Sequence, residues 1–209
     1  MSRLLAWLEA QQQQRGNVPK FIVSSSVFVP NDLSERWGTE IPLDEVDQPR
    51  RLRRMQGSDS WPAHPNTRRA ILDHIVQKRI QNVVFLSGDI HCSNLAQMRF
   101  ARNKRALNLR AFSVTSSAFY WPFPFADGDP ANYVHDSTAP GQEDTFLLSN
   151  GVTMDYKAWN FTQEDNYCRI TLDRTTSTLH VTTFDASGQT IRTESGNVLE
   201  DTFDLMPWP

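Results

Sequence analysis

The hydrophobic pattern of the chain is strongest at Val83-Val84-Phe85-Leu86, four apolar residues in succession. Without polar alternation, such a run predicts a strand over residues 80–86 that is buried on both faces. Just upstream, residues 67–78 place Ile71, Leu72, Ile75 and Val76 on one side at helical spacing, with Asn66 as the expected N-cap. Residues 2–14 carry Leu4, Leu5, Trp7 and Leu8 at the same spacing, with Ser2 as the expected cap and Gly16 as the stop. Residues 20–26 read as a short strand running into Ser24, Ser25 and Ser26. Helix then strand, twice over, predicts an α/β protein with a largely parallel sheet.

Past residue 91 the period changes. Residues 95–99 and 107–114 pair as a hairpin across a basic turn at 102–105. Residues 116–144 read as a loop, broken by Pro122, Pro124, Pro130 and Pro140 and dense in rings (Phe119, Tyr120, Trp121, Phe123, Phe125, Tyr133). A loop of that length is often functional, and the same rings also suit a cover for the sheet. Residues 166–170, 179–184 and 189–193 alternate and are rich in Thr, Val and Ile, with a hairpin turn at Asp185-Ala186-Ser187-Gly188. The tail to Pro209 is expected to pack across the surface. Residues 31–60 show no period. There an acidic part precedes Arg50, Arg51, Arg53 and Arg54, which suit either a solvated face or a fork of donors for an anionic substrate.

Composition narrows the class. The 209 residues, 39% hydrophobic and 22% charged, suit one globular domain spanning residues 1–209. A net charge of −3 offers no basic field for nucleic acid or an anionic membrane. No apolar run approaches the ~20 residues of a membrane span, and residues 1–14 lack the apolar core of a secretory leader. Cys92 and Cys168 make neither a disulfide framework nor a metal-ligand spacing, so the compartment stays open. The sequon Asn160-Phe161-Thr162 carries little weight without a leader.

The chemistry concentrates where the buried strand ends, at Ser87-Gly88-Asp89-Ile90-His91-Cys92. In open α/β sheets, ligand sites gather beyond the carboxyl ends of strands. A carboxylate and an imidazole two positions apart suit a divalent or trivalent metal, and a two-metal site supplies what phosphoester hydrolysis needs: a hydroxide nucleophile and positive charge on the phosphoryl oxygens. His91 ligates only when neutral, so metal binding is expected to weaken in acid. A cap by Asp89 beside a satisfied His91 explains the same residues without a metal. The serines at 24–26 suit either contacts to phosphate or bonds within their own turn. His64 is close in sequence to Asp59 and Trp61, where it either approaches a substrate or sits in a surface loop. His74, His135 and His180 read as structural or surface residues, and Cys92 as packing.

Phe85-Leu86-Ser87-Gly88-Asp89-Ile90-His91 resembles the G-D-x-H segment of the alkaline phosphatase D-like (PhoD-like) metallophosphatases, which replaces the closing G-H-x-H motif of the wider calcineurin-like metallophosphoesterases. Upstream, Asp59-Ser60-Trp61 followed by Arg68 or Arg69 is similar to that family's Asp-x-Trp…Arg stretch, Ile22-Val23-Ser24-Ser25 to its preceding strand, and Leu5-Ala6-Trp7-Leu8 to the helix before it. The resemblance implies the C-terminal half of a four-layer α/β/β/α sandwich with a predominantly antiparallel C-terminal strand region. It implies Asp89 and His91 as metal ligands in a binuclear or multinuclear centre, iron with calcium, with zinc or manganese as alternatives. It implies a phosphoester substrate, mono- or diester; Ser24, Asp59, Trp61 and His64, read from the residues themselves, are the candidates for contacting it.

The family's D-x-H, G-D-x-x-D and G-N-H-[DE] motifs are expected ahead of the first helix and are not found there; Asp89-Ile90-His91 itself fits D-x-H, but no G-D-x-x-D or G-N-H follows it, since Gly128-Asp129 runs into Pro130-Ala131-Asn132. The chain is therefore expected to supply the closing motif of a site completed elsewhere, and to be silent alone. Half a sandwich also leaves apolar sheet surface to cover, so self-association is expected. Two other readings compete. A serine hydrolase through Ser24, Ser25 or Ser26 lacks a G-x-S-x-G elbow. A non-enzymatic binding module would use the aromatic loop.

Overall fold

A computed structural model describes residues 1–30, 61, 64–88, 91–116, 136–140, 145–193 and 195–208. The elements run α1 (Ser2–Arg15), β1 (Lys20–Val23), α2 (Pro65–Gln77), β2 (Val83–Ser87), β3 (Ser93–Arg102), β4 (Arg105–Ala106), β5 (Ala111–Thr115), β6 (Phe146–Leu147), β7 (Val152–Thr162), β8 (Asn166–Asp173), β9 (Thr178–Asp185) and β10 (Glu200–Asp204). The irregular excursion expected at 31–60 and nearly all of the aromatic loop lie outside the described residues.

Among the described residues, a seven-stranded sheet has the order β1-β2-β5-β3-β7-β6, with β4 attached to β3. β1, β2 and β5 are parallel, and β3, β4, β6 and β7 join antiparallel. The sheet is thus mixed where a largely parallel one was expected. The reason is connection length: only residues 88–92 separate β2 from β3, too few for the crossover of a dozen or more residues that a parallel return needs. The predicted hairpin is the β3–β5 pairing, Leu95 opposite Val114. Its turn residues Asn103 and Lys104 sit at φ 49° and 64°, as a two-residue turn between twisted strands requires.

Two cores follow from the alternation along the strands. Val83 and Phe85 of β2 face Leu8 of α1 and Ile71, Leu72, Ile75 and Val76 of α2. Val84 faces the other way, with Leu95, Phe112 and Val114, against Leu179, Val181 and Phe203 of the three-stranded sheet β10-β9-β8. The described residues therefore stack as helices, mixed sheet and antiparallel sheet, an α/β sandwich with the antiparallel C-terminal strands expected. No helix among them is long and apolar enough to cross a membrane.

Several local expectations change. The N-cap of α1 is Met1, not Ser2; that of α2 is His64, not Asn66, because Pro65 takes the first helical position and moves the start two residues earlier. Strand β7 is new, although Val152, Met154, Tyr156 and Ala158 alternate inward with Thr153, Asp155 and Lys157 outward. Residues 189–193 form only isolated bridges, Phe184 to Thr190 and Arg192 to Val198. The tail, expected to lie on the surface, contributes β10 along β9 and sends Leu205 into the second core. His74 lies 3.9 Å from Glu9, and the His180 ring meets Thr202 and Glu200 across the β9–β10 pair.

A polar clasp closes the end of the sheet where the parallel strands begin. The Lys20 ammonium is buried and donates to Gln12 Oε1 at 2.7 Å, the Gly16 carbonyl at 2.6 Å and the Gln81 carbonyl at 3.2 Å. It ties the C-terminus of α1 to β1 and β2. Asn82, in the left-handed region at φ 56°, donates through Nδ2 to the carbonyls of Asn17 at 2.5 Å and Met206 at 2.7 Å, and accepts the Met206 amide at 2.8 Å. The clasp thus joins both ends of the chain to the buried strand.

Asn82→Ala strands these groups and is expected to cost about 2–4 kcal/mol in urea unfolding. Burial pushes the Lys20 ammonium down to about 8, below the unfolded value of about 10.4. Between those values the unfolded chain binds more protons, so Lys20's contribution to stability rises with pH across that window. Lys20→Met is expected to remove this alkaline component and to lower stability at pH 7 by about 2 kcal/mol, because three acceptors lose their donor. Urea titrations at pH 7 and pH 9.5 check both.

Candidate functional site

Because β1, β2 and β5 are parallel, their carboxyl ends lie side by side. The backbone continues the pairing one step past each strand: the Ser24 amide donates to the Leu86 carbonyl and the Ser116 amide to the Ser87 carbonyl, both at 2.9 Å. The segment 24–26, Gly88 and Ser116 therefore share one edge of the sheet.

β5 lies between β2 and β3, so Gly88 passes close to its end. A Cβ at Gly88 would stand 3.1 Å from the Ser116 carbonyl oxygen, and this close approach is what a glycine serves here. The left-handed residue of the segment is His91, at φ 54° and half-buried. It is one of eight non-glycine residues at positive φ among the described residues, and the one that follows the carboxyl end of β2. Asp89 and Asp59 lie outside the described residues. Cys92 is buried, burial pushes its thiol up to about 12, and Asn94 Nδ2 donates to its sulfur at 3.9 Å; it packs, as expected. No group of three or more His, Cys, Asp or Glu close enough to hold a metal occurs among the described residues.

Ser24, Trp61 and His64 come together beside this edge. With Ser25, Ser26 and Thr67 they line a cleft of about 240 Å³. Trp61 is held from two sides. Its indole N–H donates to Ser24 Oγ at 3.0 Å and to the Ser26 carbonyl at 3.2 Å. Its ring meets Phe28 edge-on at 5.0 Å, and Phe28 stacks on Phe85 of β2 at 3.8 Å. The buried strand thus sets the position of the indole through one intervening ring. Of the two arginines in the sequence reading, Arg68 joins this stack: its guanidinium is buried, lies 5.3 Å from the Phe28 ring centre and donates to the Phe28 carbonyl. Arg69 is exposed and lies over Phe146.

Ser24 places its proton on the Ser26 carbonyl at 2.7 Å while accepting from the Ser26 amide and from Trp61. In this arrangement its hydroxyl organises a turn and holds an indole; it does not offer a proton or a nucleophile. His64 is exposed at the rim, where it caps α2 through its backbone without a side-chain bond. The first turn of α2 and Thr67 open on the same cleft, and the positive end of the helix favours an anion there. Thr67 was absent from the sequence reading; its place one turn inside a cap next to Trp61 was the available signal.

A family model described as PhoD-like phosphatase matches residues 5–178. The chain belongs to that family. The matched span holds the Gly88–His91 segment, the Trp61 cleft and every strand from β1 to β8. No curated protein matches the chain. A solved structure of PhoD aligns at a TM-score of 0.49 and 14% identity, over 97% of this chain and 31% of that one. The chain therefore spans about a third of the solved protein it matches.

Within this PhoD-like framework two substitutions probe the scaffold. Gly88→Ala forces the Ser116 carbonyl to give way and is expected to lower stability by about 1 kcal/mol. Trp61→Phe keeps the ring but deletes the indole N–H, at an expected cost of about 1 kcal/mol. Urea unfolding followed by circular dichroism measures both.

Proposed function

We propose that this chain supplies one corner of a metal centre that hydrolyses phosphate mono- or diesters. Asp89 and His91 are its ligands, and the Ser24–Trp61–His64 cleft receives the substrate. The observation that carries this reading is His91. It is held in the left-handed region at the carboxyl edge of the doubly buried strand, within the span matched by the PhoD-like phosphatase family. A carboxylate and an imidazole suit iron, zinc or manganese, and the carboxylate suits calcium. When bound, such ions supply positive charge to the phosphoryl oxygens and acidify the attacking water.

The chain's own residues do the rest. Ser24 and Phe28 hold Trp61 as a flat apolar wall for the organic part of the ester. His64, Thr67 and the first-turn amides of α2 present donors to its anionic part, and Asp59, two residues before Trp61 in the sequence, is assigned to the same substrate. The remaining ligands come from motifs this sequence does not contain, so the chain by itself is catalytically silent and binds metal weakly.

His91→Gly is the informative variant, because glycine accepts φ 54° without strain while removing the imidazole. With Asp89→Asn it is expected to abolish the weak binding of Fe³⁺, Zn²⁺ or Mn²⁺ seen by equilibrium dialysis of the chain. Unchanged metal binding in the double variant would remove Asp89 and His91 from the centre. Robust turnover of p-nitrophenyl phosphate by the unmodified chain would instead overturn the silent reading.

A further inference from the structure

A second cleft lies at the other end of α2, well away from the site above. Its volume is about 410 Å³. Its lining combines apolar Val76, Leu107 and Leu109 with polar Gln77, Arg79, Arg102, Asn108 and Asn150. The first turn of α2 borders the Trp61 cleft and its last turn borders this one. Thirteen helical residues separate the two by about 20 Å.

The charge balance of the cleft is one-sided. Among the described residues no acidic side chain lines it, and neither Arg79 nor Arg102 has an ion pair. The nearest acid along the helix, Asp73, gives both carboxylate oxygens to Ser149, at 2.7 Å each to the amide and the hydroxyl. The negative end of α2 is blunted as well: the His74, Ile75 and Val76 carbonyls accept the amides of Lys78, Ile80 and Arg79. Lys104 and Arg105 follow Arg102 closely in the chain and add positive charge nearby.

Arg79 also occupies a place where glycine is the easier residue. It follows the C-cap of α2 at φ 50°, and its neighbour Ile80 makes the bond back to Ile75 that closes the helix. A side chain at that conformation is strained. Arg102 ends β3 at a position in phase with Met98 and Phe100, which pack with α2, so the two arginines line the cleft from different elements.

We infer that this cleft binds a small organic phosphate, its dianionic head between Arg79 and Arg102 and its compact apolar body on Val76, Leu107 and Leu109. Guanidiniums match a phosphate with paired donors, and the carboxamides of Asn108 and Asn150 supply further donors to its remaining oxygens. The apolar lining favours an esterified phosphate over the free ion.

The test is a titration of the ¹⁵N-labelled 209-residue chain with phenyl phosphate and, separately, with inorganic phosphate, followed by amide chemical shifts. Saturable shifts at residues 76–80, 102, 107–109 and 150 are expected, with phenyl phosphate binding at least several-fold tighter than inorganic phosphate. Arg79→Gly relaxes the left-handed backbone, so it folds at least as well as the parent. It is nevertheless expected to weaken binding about tenfold, and Arg102→Gln to do the same. Equal affinity for the two probes would refute the role of the apolar lining. Shifts confined to residues 24–26 and 61–67, or unchanged affinity in both arginine variants, would overturn the site itself. Neither result bears on Asp89 and His91, which the metal-binding measurements address separately.

Discussion

β2 is buried on both faces, and that constraint organises the molecule. Val83 and Phe85 need cover on one side and Val84 on the other, so the strand cannot lie at a surface. The helices supply one cover and the antiparallel β8–β10 sheet the other. Flanking strands β1 and β5 satisfy its backbone along both edges. A strand so fixed has one well-defined carboxyl end, and Gly88, Asp89 and His91 follow it directly. Under the proposed function, that end would give the two ligands rigid support, since small errors in donor position weaken coordination.

The same strand carries order outward by a different route. Phe85 stacks on Phe28, Phe28 meets Trp61, and Ser24 and Ser26 fasten the indole from the adjacent strand end. At the opposite end of the sheet, Lys20 and Asn82 bind helix, strand and tail through saturated polar contacts. Burying an ammonium there is costly, and surrounding it with three acceptors offsets much of that cost. Apolar stacking therefore sets the functional edge, and hydrogen bonding closes the far edge.

α2 links the two ends. Its positive terminus opens on the Trp61 cleft, and its far end is capped by its own following residues and bordered by arginine. Both clefts consequently favour anions for different reasons, a helix dipole at one and side-chain guanidiniums at the other. The first follows from the orientation of α2. The second rests on charge placement in this chain alone.

Much of the local structure was legible in the sequence, because burial leaves a period. The unbroken apolar run marked β2, the helical spacing of Ile71, Leu72, Ile75 and Val76 marked α2, and Asp185 to Gly188 marked a turn. The alternation of β7 was equally legible and went unread beside the proline-rich loop. Residue types at Asp89 and His91, with their order along the chain, gave the expectation of a closing metal motif, and that expectation carries over only as a proposal. What the sequence could not contain was proximity. Only the tertiary structure showed that β3 must return antiparallel and that Gly88 is needed for its approach to Ser116. Only there does Ser24 turn out to spend its proton on its own turn, and Arg79 and Arg102 to line one cleft. Each of these depends on distances between residues far apart in the chain, and no periodicity along a single strand or helix encodes such distances.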